Sequence, residues 1–283
     1  MSLLSNPKMK IKEIIKAFSD IGSTEPEREA YLTVEYLFGT GYASVLADPE
    51  KKFDKDKINE VLSKRKEHIP LQYIFGEWYF MGEKFFVSRD CLIPRQDTEI
   101  LVENAINVIK KGGRIADLCT GSGCIGISVL LNRSDITDIT LVDISNDALN
   151  MARKNAALHK VEEKCNFVLA DVTGPLDLGK FDAILSNPPY ILSRDMDTLS
   201  DEVKKEPSLA LDGGEDGFNI IRPIVYTCSE YLNEGGSLMI EFGYDQKEGM
   251  TALLSEAVHR GLYYRYEFKY DYGNNIRMCH LVK

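Results

Sequence analysis

The spacing of apolar positions changes twice along the chain, and each change marks a different kind of structure. Between residues 9 and 66 apolar side chains recur three and four apart: Ile11, Ile14, Ile15 and Phe18, then Ala30, Val34, Leu37 and Phe38, then Ile58, Val61 and Leu62. That spacing predicts amphipathic helices. Ser23 or Thr24 followed by Pro26 and Glu27 reads as a helix start. Between residues 73 and 87 the side chains become aromatic and β-branched, broken by Gly76 and Gly82, which predicts a hairpin joining two domains. After residue 100, short apolar runs alternate with helical stretches. Strands are expected at 114–118, 139–143, 165–170, 181–186, 237–242, 264–270 and 277–282, with helices at 124–131, 147–159, 217–232 and 246–260. Such alternation predicts an α/β fold, a doubly wound, mainly parallel sheet of seven strands whose last pair is antiparallel at one edge. The expected organisation is a helical domain at 1–70, a β-hairpin linker at 71–92 and the sheet domain at 93–283. Ligands of such sheets sit at the carboxyl ends of the strands.

Composition narrows the partners. Apolar residues make up 44% and charged residues 28% of the 283 positions, a globular balance that excludes disorder and a disulfide mini-scaffold. The formal charge is −10. Residues 1–90 are nearly balanced, whereas residues 91–283 carry 20 basic against 29 acidic side chains. A bulk electrostatic grip on nucleic acid is therefore disfavoured, although a local basic patch survives averaging. The six cysteines contain no Cys-x-x-Cys pair and the four histidines form no ligand-spaced cluster, so no metal is expected. No run approaches a membrane span or a signal peptide, and a cytoplasmic setting is expected. Whether residues 1–3 are a leader left from expression is open.

The segment Asp117-Leu-Cys119-Thr120-Gly121-Ser122-Gly123-Cys124-Ile-Gly126 ends a predicted strand and opens a helix. Gly-x-Gly-x-x-Gly alone also fits a dinucleotide site. A pyrophosphate, however, disfavours a nearby carboxylate, and Asp117 lies four residues before the first glycine. A carboxylate there suits a cation such as an amino-acid ammonium group. Asp143, ending the second strand, suits the two hydroxyls of a ribose. Asp171, ending the third, suits an exocyclic amine such as that of adenine, with Val172 against the ring. Any one aspartate is as readily a helix cap, and Asp147 is expected only to start its helix. Three at successive strand ends beside a glycine-rich turn fit a nucleoside joined to an amino acid, S-adenosylmethionine. Cys119 and Cys124 read as small packing residues.

Asn187-Pro188-Pro189-Tyr190 follows the fourth strand. Two prolines stiffen the backbone and free its carbonyls from a continuing strand. The Asn187 side-chain oxygen and the Pro188 carbonyl are then acceptors for the two protons of a planar NH2 group, with Tyr190 expected to stack on that group. Holding both protons orients a weakly nucleophilic amide nitrogen and stabilises the positive charge that develops on it.

The glycine-rich turn with Asp143 resembles class I S-adenosylmethionine-dependent methyltransferases, and Asn187 to Tyr190 resembles their amino-methylating subset. Pro70-Leu-Gln-Tyr-Ile74-Phe-Gly76, Phe85-Phe-Val87 and Leu92-Ile-Pro-Arg-Gln-Asp-Thr-Glu99-Ile-Leu-Val-Glu103 closely resemble the interdomain segment of the peptide chain release factor glutamine methyltransferases. Further matches are Glu202-Val203, Glu206-Pro207, Ala210-Leu211, Gly213-Gly214, Asp216-Gly217, and Glu241-Phe-Gly243 with Gln246. The resemblance implies a cofactor site at Cys119, Thr120, Gly121, Ser122, Gly123, Asp143 and Val172, with Asn187 shared between cofactor and substrate. Asn187, Pro188, Pro189 and Tyr190 then form the substrate loop. It implies methylation of the glutamine amide in the Gly-Gly-Gln motif of release factors. The helical domain is expected to recognise that substrate, and the protein is expected to act as a monomer. Gln96 departs from the family's usual proline, and Val172 stands where some members carry tryptophan. Arg95 is expected either to hold substrate backbone or to pair with Asp97 or Glu99. The acidic run Asp195, Asp197, Asp201, Glu202 and Glu206 is expected either to meet a basic partner or to form a solvated face. Two rivals stand beside this reading: a methyltransferase of DNA or ribosomal RNA amino groups, and a silent cofactor-binding scaffold.

Overall fold

The amphipathic periods of the amino-terminal part form one small core. In the computed structural model, which describes residues 7–283, Ile11, Ile14 and Phe18 of α1 (Ile11–Asp20) pack with Ala30 and Val34 of α2 (Pro26–Phe38). Val45 of α3 (Tyr42–Ala47), Ile58 and Val61 of α4 (Lys55–Lys66), and Leu71 and Phe75 of α5 (Leu71–Phe75) complete it. Pro26 is the first helical residue of α2, where its missing N–H costs nothing. A short ribbon of β1 (Lys8–Lys10) and β2 (Lys52–Asp54) pairs antiparallel across this unit, an element absent from the helical reading. Residues 1–3 lie outside the described residues.

The chain divides into two compact units. One runs to Gly76 and includes Asp201–Lys205; the other holds Glu77–Ser200 and Glu206–Lys283. Within the first, the buried Arg65 guanidinium donates to Glu29 at 2.7 and 3.1 Å and pairs with Glu202. Asp201 lies 3.7 Å from His68. In the acidic run, Glu202 is thus paired within its own unit.

The second unit opens with the hairpin β3 (Glu77–Phe80) and β4 (Glu83–Phe86). It starts later than the aromatic pattern suggests, because residues 71–75 are helical and Gly76, at φ 74°, caps that helix. After α6 (Glu99–Val108) come β5 (Arg114–Leu118), α7 (Cys124–Asn132), β6 (Asp138–Asp143), α8 (Asn146–Leu158), β7 (Cys165–Leu169) and β8 (Phe181–Ser186). A small parallel pair, β9 (Ile191–Leu192) and β10 (Asp212–Gly214), precedes α9 (Ile221–Thr227), β11 (Leu232–Glu241), α10 (Lys247–His259), β12 (Arg265–Tyr270) and β13 (Ile276–Val282). The main sheet has seven strands in the order β12-β13-β11-β8-β5-β6-β7, parallel except for β13 against β11 and β12. This is the expected doubly wound α/β sheet.

Because strand side chains alternate between faces, successive residues feed two cores. Leu118, Val142, Ile184 and Ile240 join α9 and α10 on one face. Ile115, Leu141, Leu185 and Met239 join α6, α7 and the hairpin's Phe80 and Phe85 on the other. The order reverses between β5 and β8, so the carboxyl ends of β5, β6, β7 and β8 converge on one crevice. No described helix is long and apolar enough to cross a membrane.

Candidate active site

The turn from β5 to α7 uses left-handed backbone at Cys119 (φ 59°), Gly121 (φ 54°) and Gly123 (φ 80°). Only Cys119 carries a side chain there, a strained position of the kind that gathers at functional sites. The turn's amides are already committed. Thr120 N–H donates to the Val142 carbonyl at 3.0 Å, Gly121 N–H to Asp143 Oδ2 at 2.9 Å and Gly126 N–H to Asp117 Oδ2 at 3.1 Å. A pyrophosphate needs those donors free and would face two carboxylates instead, so the arrangement does not suit a dinucleotide.

A cavity of about 300 Å³ opens over these strand ends. Of the residues expected at the site, Arg95, Cys119, Thr120, Gly121, Ser122, Asp143, Asp171, Val172, Asn187 and Pro189 line it, while Asp117, Gly123, Pro188 and Tyr190 do not. Asp117 lies one layer beneath, fully buried. Its Oδ2 also accepts from the Thr120 hydroxyl at 2.6 Å, and its Oδ1 has no partner among the described residues. Burial pushes its pKa up to about 7, against the pull of those two donors. A cation in the cavity therefore meets Thr120 first, with the Asp117 charge behind it. Asp143 accepts from Ser145 N–H through Oδ1 and from Gly121 N–H through Oδ2, both at 2.9 Å, and burial raises its pKa. Asp171 is exposed and turns Oδ1 to the hydroxyl and N–H of Thr173, which lower its pKa. Val172 presents a nearly buried apolar face.

At the end of β8, Asn187 Nδ2 donates to the Thr98 hydroxyl at 3.1 Å. Tyr190 does not reach the cavity, contrary to the stacking role expected of it. Its hydroxyl turns to Glu241 at 3.4 Å and its carbonyl accepts from Gln246 Nε2 at 2.9 Å. The loop's backbone is also closely packed: a Cβ on Gly213 of β10 would lie 2.6 Å from Tyr190 Cα. Arg95 pairs with neither Asp97 nor Glu99. It bonds the buried Glu206, which also accepts from Ile93 N–H at 3.0 Å. Glu99 takes the Met81 N–H, and Asp97 pairs with Arg277 at 3.1 Å. Glu206 is therefore no part of a solvated acidic face.

Comparison with known proteins identifies the chain. The Methyltransferase small domain matches residues 95–206, and the PrmC N-terminal domain matches residues 11–76. A release factor glutamine methyltransferase of Clostridium botulinum is 37% identical over 220 residues, covering 75% of this chain and 77% of its own. One of Aquifex aeolicus is 32% identical over 254 residues, covering 88% and 89%. The chain belongs to the release factor glutamine methyltransferase family. Another relative, a ribosomal protein uL3 glutamine methyltransferase of Francisella tularensis, is 38% identical over 207 residues, 72% of this chain and 65% of that protein. A solved methyltransferase from Pyrococcus furiosus shares the fold, with a TM-score of 0.53 at 15% identity over 78% of this chain and 98% of that one.

In this family member, residues without an expected role frame the site. Asn155, fully buried, accepts from Phe86 N–H, donates to its carbonyl and reaches the Ser122 carbonyl at 2.8 Å, tying the hairpin to the turn. Glu241 and Gln246 were visible only as matches in the resemblance. Here they stand under Tyr190.

Proposed function

We propose that this chain transfers a methyl group from S-adenosylmethionine to the side-chain amide nitrogen of the glutamine in the Gly-Gly-Gln motif of peptide chain release factors. The observation that carries this reading is the orientation of Asn187. Its Nδ2 is spent on Thr98, which leaves Oδ1 to accept from an incoming NH2 group. Bound S-adenosylmethionine supplies a methyl carbon activated by its sulfonium. Asp143 takes the ribose hydroxyls, Asp171 the adenine amine, and Val172 the adenine face. Thr120, backed by the Asp117 charge, faces the ammonium group. What supports the fit is the chemistry of the lining: the carboxylates of Asp143 and Asp171 and the apolar Val172 line the cavity, and beneath it Asp117 Oδ1 is buried without a partner among the described residues.

Asn187 Oδ1 and the Pro188 carbonyl hold the two amide protons, which would orient the nitrogen lone pair for attack on the methyl group of a bound donor. When the donor is bound, the C–N bond would form as the donor's S–C bond breaks and a neutral thioether leaves; both acceptors stabilise the cationic nitrogen, whose surplus proton then passes to water. Arg95, pinned by Glu206 at the rim, holds substrate backbone. The helical unit, which runs to Gly76, recognises the release factor. The protein works in the cytoplasm as a monomer, and its acidic second unit favours a protein partner over nucleic acid.

The test is mass spectrometry of a release factor incubated with enzyme and donor, with a gain of one CH2 expected on one glutamine. Asn187→Ala abolishes that gain while donor affinity stays within roughly tenfold. Methyl transfer to duplex DNA or ribosomal RNA alone overturns the reading, and transfer to nothing supports a scaffold. The uL3 methyltransferase relative favours a second reading with the same chemistry, a glutamine of ribosomal protein uL3. Competition between the two proteins for limiting enzyme separates them.

A further inference from the structure

The Asn-Pro-Pro-Tyr loop cannot hold its middle in place through its own amides, because neither Pro188 nor Pro189 has a backbone N–H. Its position is set from the two flanks. On the amino side the loop leaves β8, where the Ser186 hydroxyl donates to the Leu118 carbonyl at 2.8 Å and the Asn187 side chain donates to Thr98 at 3.1 Å. On the carboxyl side the Tyr190 carbonyl accepts from Gln246 Nε2, and Ile191 N–H donates to the Leu211 carbonyl, both at 2.9 Å. Gln246 is buried, and its Oε1 accepts from Gly243 N–H, again at 2.9 Å. Its own carbonyl accepts from Met250 N–H at 2.9 Å, which roots it at the start of α10.

These partners fix which way round the Gln246 amide sits. A backbone N–H only donates and a backbone carbonyl only accepts, so the oxygen must face Gly243 and the nitrogen Tyr190. The surroundings leave room for that bond and little else. A Cβ on Gly217 would lie 2.2 Å from Gln246 Nε2 and 2.7 Å from the Tyr190 oxygen, and one on Gly213 would lie 2.8 Å from the Tyr190 carbonyl carbon. Gly217 also takes a left-handed φ of 77°, which glycine adopts without strain. Three segments thus meet on one carbonyl: the loop after β8, the 213–217 turn and the turn after β11.

We propose that Gln246 is a positioning residue for methyl transfer: its side-chain amide clasps Tyr190 to the turn after β11 and so sets where the Pro188 carbonyl and the Asn187 side chain stand at the cavity. This deepens, and rests on, the reading of those two groups as the acceptors of the substrate NH2. Gln246 does not line the cavity and acts through the loop. A pair of acceptors keeps its spacing only while both ends of the two-proline span are held. With the Tyr190 end released, the Pro188 oxygen moves while Asn187 stays on Thr98, and the two no longer match the protons of one planar nitrogen.

The experiment measures kcat, release-factor KM and donor Kd for the full chain at about pH 8, with hydrogen exchange read at the Ile191 and Gly243 amides. Gln246→Glu, ionised at that pH, keeps an acceptor for Gly243 but sets a carboxylate oxygen against the Tyr190 carbonyl, acceptor against acceptor. It should lower kcat about 10- to 100-fold, with KM and donor Kd within about threefold of wild type. The Ile191 amide should exchange at least about tenfold faster, and the Gly243 amide within about threefold of wild type. Gln246→Met, which keeps the length and loses both bonds, should lower kcat to a similar extent. Wild-type kcat in Gln246→Glu overturns the proposal, as does a lowered kcat with unchanged exchange at Ile191, or one matched by an equal loss of donor affinity. If Gln246→Glu does not fold, Gln246→Met decides on the same constants and the same Ile191 amide. Asn187→Ala in the same series separates the two levels. Full activity there removes the underlying reading, whereas a dead Asn187→Ala beside an active Gln246→Glu removes only this inference.

Discussion

Asp143→Asn tests the donor site at its best-defined carboxylate. In the wild type each carboxylate oxygen accepts one backbone N–H, Oδ1 from Ser145 and Oδ2 from Gly121, both at 2.9 Å. Each keeps a second lone pair for a ribose hydroxyl. Asparagine has one such oxygen. Its NH2 end must face either the Ser145 or the Gly121 N–H, donor against donor, and it offers no acceptor to the second hydroxyl. A hydrogen bond to a charged group contributes about 1.5–3 kcal/mol. Losing one and weakening the other should cost about 2–3 kcal/mol, or roughly 30- to 150-fold in donor Kd. Titration calorimetry with S-adenosylmethionine near pH 8 measures this directly, with a thermal melt as control for the fold. The pH dependence supplies a second check. Burial raises the Asp143 pKa, so protonation on acidification removes a charged acceptor and weakens wild-type binding. The asparagine variant lacks that contribution. A donor Kd within about threefold of wild type, in a variant that melts normally, would refute the assignment of Asp143 to the ribose.

Gly126→Ala should destabilise the second unit by about 1–3 kcal/mol, because the added Cβ would lie 2.5 Å from Ile139 Cδ1 and 2.6 Å from Leu141 Cδ2. Urea denaturation reads this as a lower midpoint at unchanged slope, and an unchanged midpoint would contradict the packing. Arg65→Ala removes the guanidinium that Glu29 and Glu202 share and leaves Glu29, only 12% exposed, without its cation. A loss of about 3 kcal/mol is expected in denaturant unfolding, and a neutral effect would show that Glu29 swings to solvent. Asp117→Asn addresses stability against pH. Because the folded pKa of Asp117 is raised to about 7, its contribution is fully present in acid and is lost as pH rises through that value. Without donor, the melting temperature of the wild type should therefore fall relative to Asp117→Asn between about pH 4 and about pH 7, then run parallel. Curves parallel throughout would mean that Asp117 is ionised at no cost.

The strands β5 and β8 coincide with their expected bounds because each is a buried run cut off sharply, by the turn after Leu118 and by the prolines after Ser186. Where periodicity had too few residues to act on, the reading slipped. The β1–β2 ribbon consists of two three-residue strands whose ends are charged. Helix α5 is a single turn and a half, and its left-handed cap at Gly76 looks in sequence like a hairpin glycine. Helix α9 is shorter than its apolar pattern, since residues 228–231 continue as a tighter 3-10 turn. The site divides the same way. The places of Asn187, Asp143 and Asp171 were legible because each ends a strand whose carboxyl end opens on the cavity, which all three line. Their supports were not, because the partners lie far apart in sequence. Glu206 meets the Ile93 amide across 113 positions and Asn155 meets Phe86 across 69. Arg95 illustrates the cost: its neighbours Asp97 and Glu99 were the natural partners by proximity, and the fold gives it Glu206 instead.

An aspartate at a strand end can be read either as a clamp for its own backbone or as a ligand group, and the two roles are compatible. Asp117 holds Thr120 and Gly126, Asp143 holds Gly121 and Ser145, and Asp171 holds Thr173. Each carboxylate shapes the loop that follows its strand. A carboxylate has about four acceptor positions, however, and these clamps use only some of them. The remainder differ by depth: Asp171 is open to solvent, Asp143 sits in the cavity wall, and Asp117 lies sealed beneath it. On the proposed reading, clamping prepares the ligand role, because an acceptor already fixed by the backbone loses little freedom when a hydroxyl or amine arrives. The same reasoning extends to Asn187. Its bond to Thr98 looks structural when viewed alone, yet on the proposed reading it leaves the opposite oxygen for the substrate.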